Sequence, residues 1–135
     1  MSQERFELVR GQFEQALARL HGALDQNETE FMRDALIQRF EFTYELSHKM
    51  LRRYLKETAA SPDEIERMPF ADLIRTGHAR GLLRGDWSAW RRFREMRART
   101  SHTYDAKVAS QVVSAIPAFV EEAEHLYAEL QRRLA

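Results

Sequence analysis

Residues 105–130 read DAKVASQVVSAIPAFVEEAEHLYAEL. Val108, Val112, Ile116, Phe119, Ala123, Leu126 and Leu130 recur here at steps of three and four, which lines them up along one face of an α-helix. A half-buried strand would alternate at every second residue, and no segment of the chain does so. Asp105 stands where a helix N-cap belongs. Pro117 removes one backbone N–H inside the pattern and predicts a kink in the helix.

The same period extends towards the N-terminus. Phe6, Val9, Phe13, Leu17, Leu20 and Leu24 predict a first helix, broken by Asp25 to Asn27. Asn27 followed by Glu30 resembles a helix start. A second helix is expected from Glu28 to Glu57, roughly eight turns long, carrying Met32, Leu36, Phe40, Tyr44, Leu51 and Leu55. TAASPDEIERMP, residues 58–69, is the most loop-like stretch, with a short helical turn at Ser61 to Glu64. Pro69 suits the first position of a third helix, ending near Gly81. Asp86 can cap a fourth helix bearing Trp87, Trp90, Phe93 and Met96. These segments predict an all-α, up-and-down bundle of four to five helices in one domain spanning residues 1–135. The first and last helices are expected to pair, and the apolar stripes are wide enough for a dimer partner as well as a core.

Composition narrows the function classes. The chain has 135 residues, 44% of them apolar, enough for a core. Lys and Arg number 21 and so do Asp and Glu, so any nucleic-acid binding must come from a local patch. Cysteine is absent, which excludes disulfides and thiolate zinc sites and fits a reducing cytoplasm. The charged start MSQERFELVRG is unlike a signal peptide, and no apolar run is long enough for a membrane span. A cytoplasmic protein without a membrane anchor is expected.

RARTSHTYD, residues 97–105, holds the chemistry. On a continuous helix, Arg97 and His102 would diverge by about 140° beyond a full revolution. The group is coherent only if the helix ends near Thr100 to Ser101 and the turn brings Arg97, His102 and Tyr104 to one side. Arginine with histidine is a minimal kit for metal-free phosphodiester cleavage. An imidazole takes and returns protons near neutral pH. A guanidinium holds phosphate oxygens through its fork of donors. Tyr104 can donate a hydrogen bond to a phosphate or orient the histidine. The competing account is structural: histidine, tyrosine and Ser101 at a junction also satisfy loose backbone groups.

Other candidates lie nearby. Arg84, Arg91, Arg92, Arg94, Arg97 and Arg99 crowd one segment; Arg91, Arg94 and Arg99 could form a phosphate-binding patch with Arg97, or a solvated helix face. Glu41 and Glu45 share a face of the second helix and could orient Arg97 or His102; a surface pair between Glu45 and Lys49 is the preferred reading. His21, His48, His78 and His125 lack metal-ligand spacing, and no nucleotide-binding glycine motif occurs, so no metal or cofactor is expected. The Trp87 to Met96 aromatics are assigned to packing rather than base stacking.

Three motifs carry a resemblance: R-x4-H-x-Y as Arg97, His102 and Tyr104; FEFTYELSHKMLRRYL, residues 40–55; and GLLRGDWSAW, residues 81–90. Together they cover most of residues 35–130, and the chain resembles HEPN-domain proteins of the HepT-like and nucleotidyltransferase substrate-binding group. The resemblance implies a dimeric helical bundle. It implies an RNase toxin whose R-x4-H pairs face each other across the dimer, with RNA, tRNA included, as substrate. It also implies a MntA-like minimal nucleotidyltransferase as antitoxin, able to transfer AMP to the tyrosine. Arg97 and His102 become the catalytic candidates, and Tyr104 the regulatory or substrate-contacting one. Two positions depart from the pattern: Ala98 stands where a polar residue, often Asn, is usual, and His48 where Trp is frequent. Some relatives are substrate-binding subunits of a nucleotidyltransferase with no cleavage assigned, and that alternative stays open.

Overall fold

A computed structural model describes residues 3–134 except Asn27. Among the described residues there are six α-helices and no strand: α1 (Gln3–Ala23), α2 (Glu30–Glu57), α3 (Pro62–Glu66), α4 (Phe70–Ala79), α5 (Trp87–Arg99) and α6 (Ala106–Leu134), with a 3-10 turn at Thr100–His102. Four are long and two short; the long helices match the expected bundle, and α3 and α4 match the short turn and the helix expected between α2 and α5. None is long and apolar enough to cross a membrane.

Most helix ends follow from local chemistry. The second helix begins two residues later than expected. Its cap is Thr29, whose hydroxyl accepts from the Met32 N–H at 3.0 Å; Asn27, the expected start, lies outside the described residues. Pro69 is the cap of α4 rather than its first helical residue. That helix stops at Ala79, and Gly81 takes φ +76°, a left-handed conformation natural to glycine after a helix end. Asp86 caps α5 through the Ala89 N–H, and Asp105 accepts from the Lys107 N–H at 2.9 Å at the start of α6. Helix α6 runs unbroken through Pro117, which sits on its exposed side.

Helix α6 is the spine: α1, α2 and α5 all pack on it. The chain ends pair as expected, with His21 Nδ1 2.7 Å from Glu124 Oε1 and the Phe13 and Tyr127 rings edge to face at 6.0 Å. At the centre, Phe119 of α6 meets Phe40 and Tyr44 of α2 and Trp90 and Phe93 of α5, with ring centroids 5.2–6.1 Å apart. Three of these pairs are edge-on and the Tyr44 pair is tilted, and such contacts add to the burial energy of the rings themselves. Trp90 is thus a core residue, and Trp87 packs on Phe70 at 5.8 Å. The GLLRGDWSAW segment is tied to the spine by Glu122, whose Oε1 accepts from the Gly85 N–H at 2.8 Å and the Trp90 indole N–H at 3.2 Å. Arg52 secures the α3–α4 connection, its Nη1 donating to the carbonyls of Ile65 and Met68 at 2.7 and 3.0 Å.

Candidate active site at the α5–α6 junction

Arg97 lies in the last turn of α5 and is held from three sides. Its Nε donates to Glu45 Oε1 at 3.2 Å, and its Nη1 lies 3.6 Å from Glu41 Oε2. The same Nη1 donates to Thr100 Oγ1 at 3.0 Å, while the Thr100 hydroxyl donates to the Arg97 carbonyl at 2.7 Å. Thr100 is buried, whereas the Arg97 side chain keeps 33% of its surface exposed. The guanidinium is therefore pre-aimed yet reachable. Two carboxylates beside it make its local field less positive than the run of arginines suggested.

The preferred pairing of Glu45 with Lys49 does not form. Glu45 instead meets Arg97 and, at 3.1 Å, His48 Nε2. Tertiary packing of α5 against α2 supplied better partners than the i,i+4 neighbour. His48 is held below the ordinary imidazole range, chiefly by burial, with Glu45 pulling the other way. Its ring packs edge-on between Tyr44 at 5.3 Å and Phe70 at 5.5 Å. Burial, helped by Glu45, pushes the Tyr44 phenol up to about 12.

His102 closes the 3-10 turn and is exposed, and Tyr104 is 86% exposed. Their rings meet edge-on at 6.0 Å. Among the described residues no hydrogen bond, ion pair or ring contact joins His102 to Arg97. Helix α5 ends at Arg99, close to where expected, but the chain winds on in the right-handed sense through a 3-10 turn to Thr103 before it folds back as α6. At helical and 3-10 pitch this leaves the two residues about 180° apart around the local axis. The expectation that one turn gathers Arg97, His102 and Tyr104 therefore holds for His102 and Tyr104 alone.

The remaining candidates scatter. Arg94 stacks over Phe70 with Cζ 5.5 Å from the ring centroid. Arg91 pairs with Glu95 at 3.4 Å, and Arg99 donates to Gln111 at 2.7 Å. Ser101 donates to the Ala98 carbonyl at 3.1 Å, the structural role weighed for it. Arg94 thus lies against α4 and Arg97 against α2, so the run does not gather into one patch. Sequence reading missed Thr100, although a threonine three residues after an arginine in a last helical turn is well placed to bond back. Among the described residues no group of three or more histidines and carboxylates is arranged to hold a metal.

Comparison with known proteins matches this geometry to a family. Residues 9–132 fit the model described as nucleotidyltransferase substrate binding protein like. A Haemophilus influenzae protein named Probable ribonuclease HepT is 43% identical over 97 residues, 72% of this chain and 66% of that protein. The chain thus spans just under two thirds of that relative's length. A solved Haemophilus influenzae protein, HI0074, described as having the fold of a substrate binding domain of a nucleotidyltransferase, superposes with a TM-score of 0.73 at 32% identity, covering 96% of this chain and 99% of that one. A structure from Thermus thermophilus gives a TM-score of 0.73 at 30% identity, over 87% and 98% of the two chains. The chain belongs to the nucleotidyltransferase substrate binding protein like family and is HepT-like within it.

Proposed function

We propose that this chain is the toxin of a HepT–MntA-like pair: a homodimeric, metal-independent endoribonuclease held inactive by a minimal nucleotidyltransferase. The observation that carries the reading is a guanidinium, Arg97, fixed by Glu41, Glu45 and Thr100 yet open to solvent, about one and a half turns before the exposed His102–Tyr104 pair. In the reaction the His102 imidazole takes the ribose 2′-OH proton. The 2′-oxygen attacks phosphorus, the P–O5′ bond breaks, and the departing 5′-oxygen takes a proton from an imidazolium. The products are a 2′,3′-cyclic phosphate and a 5′-hydroxyl. Arg97 holds the non-bridging oxygens as charge builds on them. Since one chain turns Arg97 and His102 to opposite sides, a second copy completes the cleft.

Tyr104 suits regulation. Its phenolic oxygen attacks the α-phosphorus of ATP bound by the nucleotidyltransferase; pyrophosphate leaves, and the phenolic proton goes to a base of that partner. The new phosphodiester would stand beside His102 and repel a substrate phosphate. A second reading, the non-catalytic substrate-binding subunit of a two-protein nucleotidyltransferase, is favoured by Ala98, an exposed apolar residue beside Arg97 where the motif is usually polar.

The test compares wild type, Arg97→Ala and His102→Ala on total RNA and tRNA with EDTA present, each checked as a folded dimer. Cleavage by wild type alone is expected. Intact RNA in all three, with folding retained, would overturn the RNase reading and leave the substrate-binding subunit.

A further inference from the structure

Beside the Arg97 clamp, a cavity of about 600 Å³ runs along α2 from Phe42 past His48 to Lys56. Its wall includes four cations and two carboxylates, but several of these are committed. Arg52 is bound to backbone carbonyls, Lys56 pairs with Glu66 at 2.8 Å, and Glu45 is taken by Arg97 and His48. Two cations remain. Lys49 is exposed, and no ion pair engages it among the described residues. Arg53 carries a buried Nη1 with no hydrogen-bond partner. Arg53 lines the same wall, and among the described residues no hydrogen bond or ion pair engages its guanidinium, so its charge, like that of Lys49, is left for an anionic ligand.

Lys49 and Arg53 are one helical turn apart on α2, about 6 Å along the axis. Phe42, nearly two further turns towards the N-terminus, keeps 58% of its surface exposed at the cavity mouth. Two free cations in a row with a bare aromatic face at one end form the pattern that tracks a single strand: charge for the backbone, a ring for a base. The cavity is also continuous with Glu45, the carboxylate that holds Arg97.

We infer that this cavity binds the backbone of a single-stranded polynucleotide, with Lys49 and Arg53 on phosphates and Phe42 under a base. On the RNase reading proposed above, it is the flanking-strand subsite that leads substrate to Arg97. The binding itself does not depend on cleavage, and the test keeps the two apart.

The experiment is fluorescence anisotropy with a labelled 2′-deoxy single strand, which lacks the 2′-OH needed for cleavage. Lys49→Gln and Arg53→Gln are expected to weaken binding about 3- to 10-fold. Each should lower the slope of log affinity against log salt by about 0.7. Phe42→Ala should weaken binding about 5-fold or more with the slope unchanged. Arg53→Lys, which keeps the charge, should retain most of the affinity and guards against misfolding of Arg53→Gln. Arg132→Gln, at the far end of α6, should bind like wild type. Wild-type affinity and slope in all three cavity variants would overturn the inference, as would equal weakening by Arg132→Gln or no binding by wild type. Displacement of the strand by polyglutamate but not by unlabelled strand would reassign the cavity to an acidic protein surface. RNA cleavage with unaltered strand binding in the variants would remove the subsite and leave the RNase reading. Strand binding through the cavity with no cleavage would do the reverse.

Discussion

Replacing Glu122 by alanine should cost this protein far more than the loss of a surface carboxylate. One oxygen, Glu122 Oε1, accepts from both the Gly85 N–H at 2.8 Å and the Trp90 indole N–H at 3.2 Å. Trp90 is 1% exposed, so in the folded protein its N–H relies on this acceptor. Hydrogen bonds to a charged acceptor contribute about 1.5–3 kcal/mol each, and a buried donor left unmade costs a similar amount. Glu122 is partly exposed, so solvent screens some of this, and a loss of about 2–4 kcal/mol is expected for Glu122→Ala. For a chain of this size that is roughly 6–15 °C in Tm. Glu122→Gln keeps an acceptor oxygen and loses only the charge, so about 1 kcal/mol is expected. Urea unfolding followed by circular dichroism and by tryptophan fluorescence measures both variants. Stability of Glu122→Ala within about 0.5 kcal/mol of wild type, the ordinary range for a surface substitution, would refute the idea that this carboxylate ties α5 and its preceding loop to α6.

Four further outcomes are expected. Burial holds His48 below its unfolded value of 6.5, so the unfolded chain binds the proton first and stability should fall as pH drops below about 6.5; His48→Gln should flatten that slope, and a His48 NMR midpoint at or above 6.5 would contradict it. Because Glu45 supports the charged form, Glu45→Gln should move the His48 midpoint lower still, not higher. Phe119→Ala should lose about 3–5 kcal/mol in urea unfolding, since the ring is fully buried against four others. Gly81→Ala should lose about 1–2 kcal/mol by the same assay, because φ +76° is unfavourable for a residue with a Cβ.

Several features of this fold and site were legible without coordinates. The three-and-four spacing of Val112, Ile116, Phe119, Ala123, Leu126 and Leu130 did predict the buried face of α6. Asp86 and Asp105 mark helix starts because capping is decided within three residues of chain. His102 and Tyr104 share one exposed turn for the same local reason.

Contacts between distant residues were not legible. Glu45 reaches Arg97 across 52 residues of sequence, and Glu122 reaches Gly85 across 37. Nothing near Glu45 in the sequence distinguishes Arg97 from Lys49 as its partner. Only the docking of α5 on α2 puts the guanidinium within 3.2 Å. The separation of Arg97 from His102 is likewise set by the 3-10 turn that carries the chain on past Arg99, where the residue types alone allowed a reversal. Period and caps are properties of a few neighbouring residues, so the sequence by itself determined the helices and most of their ends. Which charged groups meet depends on how whole helix faces pack. The tertiary structure alone decided that Arg97 is clamped by Glu41, Glu45 and Thr100, while among the described residues Lys49 has no ion pair and Arg53 Nη1 no acceptor along α2.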